Sequence, residues 1–120
     1  MRAVLVISHG SRYPKTKEEI LSLVEQLKKR IPIPVIKCAF LELESPSIPQ
    51  GISACVDEGA DRILILLNFL NSGRHVDEDI PAIIAQAQKK YPKVKFGISR
   101  PLGLNSGIVD LFSTIINENN

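Results

Sequence analysis

Three side chains that can bind a metal ion follow apparent strands at regular intervals along the chain. His9, Glu42 and His75 are each separated from the next by 33 residues. In a chain that alternates strands and helices, this interval is about one βα unit, so three successive units would each deliver one residue to the same edge of a parallel sheet. Two imidazoles and a carboxylate suit iron, cobalt, nickel or zinc. The spacing therefore predicts a metal site with these three residues as ligands.

The types of these ligands indicate what the metal would do. A set without thiolates differs from tight structural zinc sites and leaves coordination positions open, which favours transient handling of the metal. Taken singly, each residue has an ordinary explanation, because a histidine at a strand end often serves a turn and a loop glutamate is often only solvated. The combination is more informative, since His9 and His75 are the two histidines of the chain and both lie near glycine.

Four apolar runs predict the strands that would position these residues, at Arg2 to Ser8, Val35 to Phe40, Arg62 to Phe69 and Val94 to Ile98. The first and third are continuously apolar, which is typical of strands covered on both faces. A helical segment follows each run. The predicted fold is α/β: a four-stranded parallel sheet with helices on both faces, in βαβαβαβα order with right-handed crossovers. We expect one domain over residues 1–120, with a polar tail at 117–120.

The predicted helices have recognisable ends. Thr16-Lys17-Glu18-Glu19 and Ser47-Ile48-Pro49-Gln50 both have the pattern of a capping box, and Gly59 is expected to end the second helix. Asp79 is expected to cap the third helix, and the fourth should run from about Asn105 to Ile116. In the first helix, spacings of three and four predict one buried stripe, formed by Ile20, Leu23, Val24, Leu27 and Ile31.

The composition and the known motifs exclude several classes of function. The formal charge is +2 and no basic run is interleaved with aromatic residues, so no nucleic-acid partner is expected. The apolar start Ala3–Ile7 is too short for a signal peptide or a membrane span, which predicts a cytoplasmic protein without a membrane partner. The sequence has neither a P-loop nor a dinucleotide fingerprint, so neither ATP nor a nicotinamide cofactor is expected. Cys38 and Cys55 should be buried hydrophobic residues.

Arginines lie in the same predicted loops as the metal-binding side chains. Arg12, Arg74 and Arg100 occupy three of these loops, with Lys15 nearby. They could form a cationic rim that binds a carboxylate-rich ligand through charge-assisted hydrogen bonds. Surface arginines are also common where no ligand binds. Both interpretations stay open at this point.

The segments around these positions resemble the small class II chelatases, which insert a metal into sirohydrochlorin without ATP. The resemblance runs in order through about two-thirds of the chain, in Val6–Arg12, Phe40–Leu43, Pro46–Ile48, Phe69–Leu70, Gly73–Val76, Asp79–Pro81 and, more weakly, Arg100–Gly103. The chain departs from the family pattern at Asn68, where many relatives have proline, and at Leu104-Asn105, where many have histidine.

The resemblance implies that His9 and His75 bind the metal and assist proton removal from the pyrroles, with Glu42 as the nearby acidic residue. The expected substrates are sirohydrochlorin and a divalent metal, with Co²⁺ for cobalamin first, and Ni²⁺ for coenzyme F430 or Fe²⁺ for sirohaem as alternatives. Short members of the family pair as homodimers, so we expect a homodimer here. Substrate-binding residues are expected in the same loops: Ser11, Arg12, Ser72, Gly73, Arg74 and Arg100.

Two alternatives come from other classes of protein. A non-catalytic carrier of metal or tetrapyrrole would use the same ligands and differ only in the absence of turnover. A phosphoesterase could use His9 beside Arg12, although the chain lacks the partner motifs of such enzymes.

Overall fold

The computed structural model describes residues 1–119, and over these residues the chain forms a four-stranded parallel sheet with helices on both faces, as predicted. The sheet order is β2-β1-β3-β4, so β1 is flanked on both sides by parallel strands. The third strand ends two residues earlier than predicted, because Asn68 leaves the sheet and bonds to the end of β1, and the fourth starts one residue later. The strands are β1 (Arg2–Ser8), β2 (Val35–Phe40), β3 (Arg62–Leu67) and β4 (Lys95–Ile98).

Two short helical turns accompany the four α-helices described in this range. A π-helical turn, His75–Asp79, leads into the third helix, and a 3-10 turn, Leu102–Leu104, precedes the fourth. Within residues 1–119, no helix is long and apolar enough to cross a membrane. The α-helices are α1 (Pro14–Arg30), α2 (Ile48–Asp57), α3 (Ile80–Lys90) and α4 (Gly107–Glu118).

Each face of the sheet has its own core. One face packs Leu5 and Ile65 against α2 and α3, and the other packs Val6 and Phe40 against α1. The predicted stripe of α1 is correct in its centre, where Val24 is buried and Ile20 and Leu27 pack, but wrong at two positions. Leu23, which lies at the margin of the stripe, and Ile31, which follows the last helical turn, are both exposed.

Both cysteines are free and buried, as predicted. Burial raises the pKa of the Cys38 thiol, and it raises the pKa of Cys55 to about 11. The charged thiolate loses its hydration inside the core, so both sulfurs stay protonated and unreactive near neutral pH.

One predicted capping box forms and the other does not. The Ser47 Oγ accepts a hydrogen bond from the Gln50 N–H (3.3 Å), and the Gln50 Oε1 accepts one from the Ser47 N–H (2.9 Å), so the box of α2 is confirmed. The box predicted at Thr16 is wrong. Helix α1 begins at Pro14, whose fixed φ suits a first helical position, and Thr16 lies inside the first turn with its N–H donating to the Tyr13 carbonyl (3.0 Å).

The predicted starts of the last two helices also need correction. Asp79 does not cap α3, because the π-helical turn runs directly into that helix and Asp79 itself is helical (φ −68°, ψ −49°). Helix α4 begins two residues later than predicted, after the 3-10 turn, and continues to Glu118. The polar tail predicted from residue 117 is therefore wrong for Asn117 and Glu118, and Asn120 lies outside the described residues.

The two boxes give a matched test of helix capping. Ser47→Ala removes a formed cap and should lower the free energy of unfolding by about 1 kcal/mol. Thr16→Ala removes the same type of side chain from within a helical turn and should change it by less than about 0.5 kcal/mol. Urea denaturation followed by circular dichroism measures both. Equal losses in the two variants would contradict this assignment of the caps.

Candidate metal site

Backbone hydrogen bonds beyond the ends of β1 and β2 hold two of the three candidate ligands side by side. The Leu41 N–H donates to the Ser8 carbonyl (2.9 Å), and the Glu42 N–H donates to the His9 carbonyl (3.0 Å). The parallel pairing of β1 with β2 thus continues for two residues into the loops. His9 and Glu42 therefore have relative positions that the backbone fixes.

Gly10 allows this close approach of the two loops. Its φ of +102° is in the region that glycine adopts without strain, and a Cβ at this position would lie 1.8 Å from the Glu42 carbonyl oxygen. On the other side of Glu42, Leu43 has a φ of 71°, which is uncommon for a residue with a side chain. The backbone around Glu42 is thus held in a conformation that costs energy, as is frequent at functional sites.

The third ligand, His75, begins the π-helical turn. This turn is anchored by the buried side chains of Val76 and Ile80, while the His75 ring faces the edge of the sheet. The His75 Nδ1 donates to the Asp79 Oδ2 at 2.7 Å. This bond places the proton on Nδ1 and leaves the lone pair of Nε2 free for a metal, which is a usual arrangement of metal-binding histidines.

The structure brings the three predicted ligands together. One donor atom from each of His9, Glu42 and His75 lies within 4.8 Å of the other two, and the two imidazole rings have centroids 5.0 Å apart. Ligands about 2.1 Å from a tetrahedral metal lie about 3.4 Å from one another, so side-chain movements of about 1.4 Å or less would complete the site. About half of each side chain is exposed (44%, 50% and 44%), so the site is open to a large ligand.

The hydrogen bonds of His9 indicate that this site attracts a cation. Its Nδ1 faces the Gly10 carbonyl at 3.0 Å, and its Nε2 faces the Glu42 Oε1 at 2.9 Å. Both partners are acceptors, whereas a neutral imidazole carries a single N–H. A proton between Nε2 and Oε1 satisfies both atoms, and a metal ion placed there would do the same and would release that proton.

The residues expected to bind the substrate lie in the same loops, and most are exposed. Arg74 has a side chain 82% exposed, with its Nε 3.7 Å from Glu78. Ser11 is more ordered, because its N–H donates to the Glu44 Oε1 (2.8 Å) and its Oγ accepts from the Tyr13 N–H (3.0 Å). The remaining expected residues are all exposed at this edge: Arg12, Ser72, Gly73 and Arg100.

The analysis of the sequence missed three residues that support the site. Asp79, which orients His75, could have been found from its spacing of four residues on a helix. Glu44 holds the backbone of Ser11, and nothing in the sequence pattern signals that contact. Asn68, one of the departures from the family pattern, donates from its side chain to the buried Ser8 Oγ (3.1 Å) and so joins the ends of β1 and β3.

The fourth loop is attached to the third. The Leu102 N–H donates to the Phe69 carbonyl (2.7 Å), and a Cβ on Gly103 would lie 2.0 Å from the Leu70 carbonyl oxygen. Arg100 precedes this contact. Loop four thus lies against the loop that carries His75.

An α/β domain with two histidines and a glutamate at one sheet edge is a metal-binding domain with room for a large second ligand. Residues 3–119 match the family model CbiX, and the chain belongs to this family. It is 38% identical over 120 residues to a sirohydrochlorin ferrochelatase of Priestia megaterium, covering 100% of this chain and 45% of that one. It is 30% identical over 111 residues to a sirohydrochlorin cobaltochelatase of Sulfolobus acidocaldarius, covering 92% and 86%.

A solved structure agrees with the fold. The sirohydrochlorin chelatase SirB from Bacillus subtilis subspecies spizizenii, in complex with cobalt, superimposes with a TM-score of 0.88 at 32% identity, over 98% of this chain and 50% of that chain. The chain spans about half the length of the first curated relatives that it matches.

The contact between Asp79 and His75 can be tested by metal binding. Asp79→Asn should weaken Co²⁺ binding by about tenfold or more, because the ring loses the carboxylate that orients it and increases its basicity. Asp77→Asn, which removes the same charge from an exposed neighbour, is the control and should bind Co²⁺ nearly as wild type does. Isothermal titration calorimetry measures both affinities. A similar loss in the two variants would indicate a general effect of charge.

Proposed function

We propose that this protein is an ATP-independent chelatase that inserts a divalent metal into sirohydrochlorin, with Co²⁺ as its metal. The observation that carries the proposal is the convergence of His9, Glu42 and His75 within 4.8 Å at an exposed sheet edge. The names of the relatives support the reaction. Co²⁺ is favoured because the Sulfolobus relative, which this chain covers over most of its length, is named a cobaltochelatase, whereas the ferrochelatase of Priestia is about twice as long.

In the proposed reaction, the metal binds first to Glu42 and to the free Nε2 atoms of both histidines. Its binding displaces the proton that His9 and Glu42 share. As the metal moves into the ring, two pyrrole protons must leave. The histidine and carboxylate groups that the departing metal frees are then available to accept those protons, so metal release and proton uptake occur on the same atoms.

The macrocycle would lie over the metal with its carboxylates on the arginine rim. Arg12, Arg74 and Arg100 project from three loops of the same edge and are exposed. Guanidinium groups bind carboxylates through two parallel hydrogen bonds, which orient the ring as well as attract it. Holding metal and ring face to face reduces the entropic cost of their encounter.

We further propose that the working form is a homodimer. A tetrapyrrole is large relative to this domain, and its three proposed metal ligands are each about half exposed. One copy therefore provides one wall of a cleft, and a second copy would provide the other.

The test is the absorption spectrum of sirohydrochlorin mixed with Co²⁺ and protein without ATP, compared with a blank without protein. The rate of metallation should scale with enzyme and continue beyond one turnover. His9→Ala should lower this rate by at least about 100-fold, because it removes both a ligand and a base. Its thermal midpoint should stay near that of wild type, since a half-exposed loop side chain contributes little to the core.

Two results would reject the proposal. A shifted spectrum of bound sirohydrochlorin without any increase in rate would favour the carrier. Hydrolysis of a generic phosphate ester that is lost in His9→Ala would favour the phosphoesterase. Repeating the assay anaerobically with Ni²⁺ and Fe²⁺ tests the choice of metal, and a higher rate with either would replace Co²⁺.

Arg74→Ala tests the rim separately from the metal site. It should raise the apparent Kd for sirohydrochlorin about fivefold, which corresponds to the roughly 1 kcal/mol expected of an exposed charge pair. Co²⁺ affinity should be unchanged. Arg30→Ala, at the last residue of α1 and far from the carboxyl edge of the sheet, is the control for loss of positive charge. Fluorescence quenching of the macrocycle measures the Kd, and equal affinities for all three proteins would exclude Arg74 from the rim.

A further inference from the structure

Helix α4 presents an apolar surface that its own domain does not cover. None of the residues described in Gly107–Glu118 is buried, and Leu111, Phe112 and Ile115 are each about half exposed. With Ile108 they lie three and four residues apart and form one stripe, called here the α4 stripe. Within residues 1–119, the main contacts of α4 are with the 3-10 turn before it. The extents of the molecule, 51 × 32 × 29 Å, fit a helix that projects from the body.

The sheet has a matching gap. On the face that carries α1, that helix packs over β1 and β2, while Leu64 and Leu66 of β3 are only half buried. Gly97 of β4 pairs with Leu64, so it lies on the same face, and it is exposed. These three residues are called here the open face. A twelve-residue helix is about 18 Å long, and a six-residue strand is about 20 Å long, so α4 has the length needed to cover it.

The charges of the two surfaces are opposite. Arg62 and Lys95 pair across β3 and β4 at the amino end of the open face, and Arg2 pairs with Arg62 from β1. All three are exposed and line a shallow depression together with Leu64 and Gly97. Helix α4 carries Asp110 and Glu118, and within Gly107–Glu118 it has no basic residue. An acidic amphipathic helix thus complements an apolar surface with a basic end.

We propose that two copies of this chain exchange their fourth helices, so that the α4 stripe of each copy packs on the open face of the other. Reciprocal exchange gives a closed two-fold dimer, in which each surface is used once and none is left exposed. The inference rests on the homodimer proposed above and specifies its interface. It does not depend on the reaction, because it is carried by packing and charge alone.

Disulfide trapping between differently tagged chains tests the exchange. One chain carries Gly97→Cys, where the Cβ would meet only Leu64 at an ordinary 3.7 Å, and the other carries Leu111→Cys or Ile115→Cys, which lie about one turn apart. Mixed dimers should cross-link for at least one of these pairs. Asn117→Cys, on the polar side of α4, should not cross-link to Gly97→Cys. The wild-type protein is the background control, because Cys38 and Cys55 are buried.

Light scattering across a concentration series provides the second measurement. Wild type should be a dimer, and Ile115→Asp should raise the dimer dissociation constant at least tenfold. Asn117→Asp adds the same charge on the opposite side of the helix and should change it less than twofold. A monomeric wild type whose cysteines link only when both are in one chain would overturn the proposal in favour of α4 folding onto its own sheet. A dimer that neither cross-links nor responds to Ile115→Asp would overturn it in favour of another interface. Neither measurement uses chelatase activity, so failure here is distinguishable from failure of the proposed reaction.

Discussion

Three consecutive carbonyl groups at the end of β1 hold the functional edge of this protein together. The Ile7 carbonyl accepts from the Asn68 N–H, the Ser8 carbonyl from the Leu41 N–H, and the His9 carbonyl from the Glu42 N–H, all at 2.9 to 3.0 Å. The central strand therefore binds the loop after β2 on one side and the loop after β3 on the other. Because these bonds use the backbone, the meeting of the loops is independent of the side chains that they carry, and those side chains are left to the chemistry.

The edge has charges of opposite sign at different places. Glu42 and Asp79 place carboxylates beside the two histidines, so the centre attracts cations. The arginines stand farther out on the loops, where they are exposed and attract anions. A small cation and a large polyanion can therefore be drawn to the same edge without competing for the same groups, since electrostatic attraction acts on each at its own position.

The sequence predicted the fold and the ligand set well, because both follow from periodicity. Continuous apolar runs at β1 and β3 require a sheet between layers, and a regular βα interval brings His9, Glu42 and His75 to one edge. Local details were less predictable. Thr16 and Ser47 have the same box pattern, but Pro14 starts α1 earlier and places Thr16 inside a turn. Asp79 has the pattern of a cap, and only the π-helical turn reveals that its carboxylate is used by His75.

Helix α4 shows a further limit of periodicity. Its pattern requires that one stripe be buried, but a pattern cannot state against which surface, and here the surface is not supplied by the helix's own domain. The contact of Gly103 with Leu70 fixes where α4 leaves the body, at the edge that carries the candidate metal site. A partner held through α4 would therefore be attached at that edge. Water excluded there would lower the local dielectric constant and strengthen the attraction between the carboxylates and a metal, so dimer formation would affect the site without contributing a ligand to it.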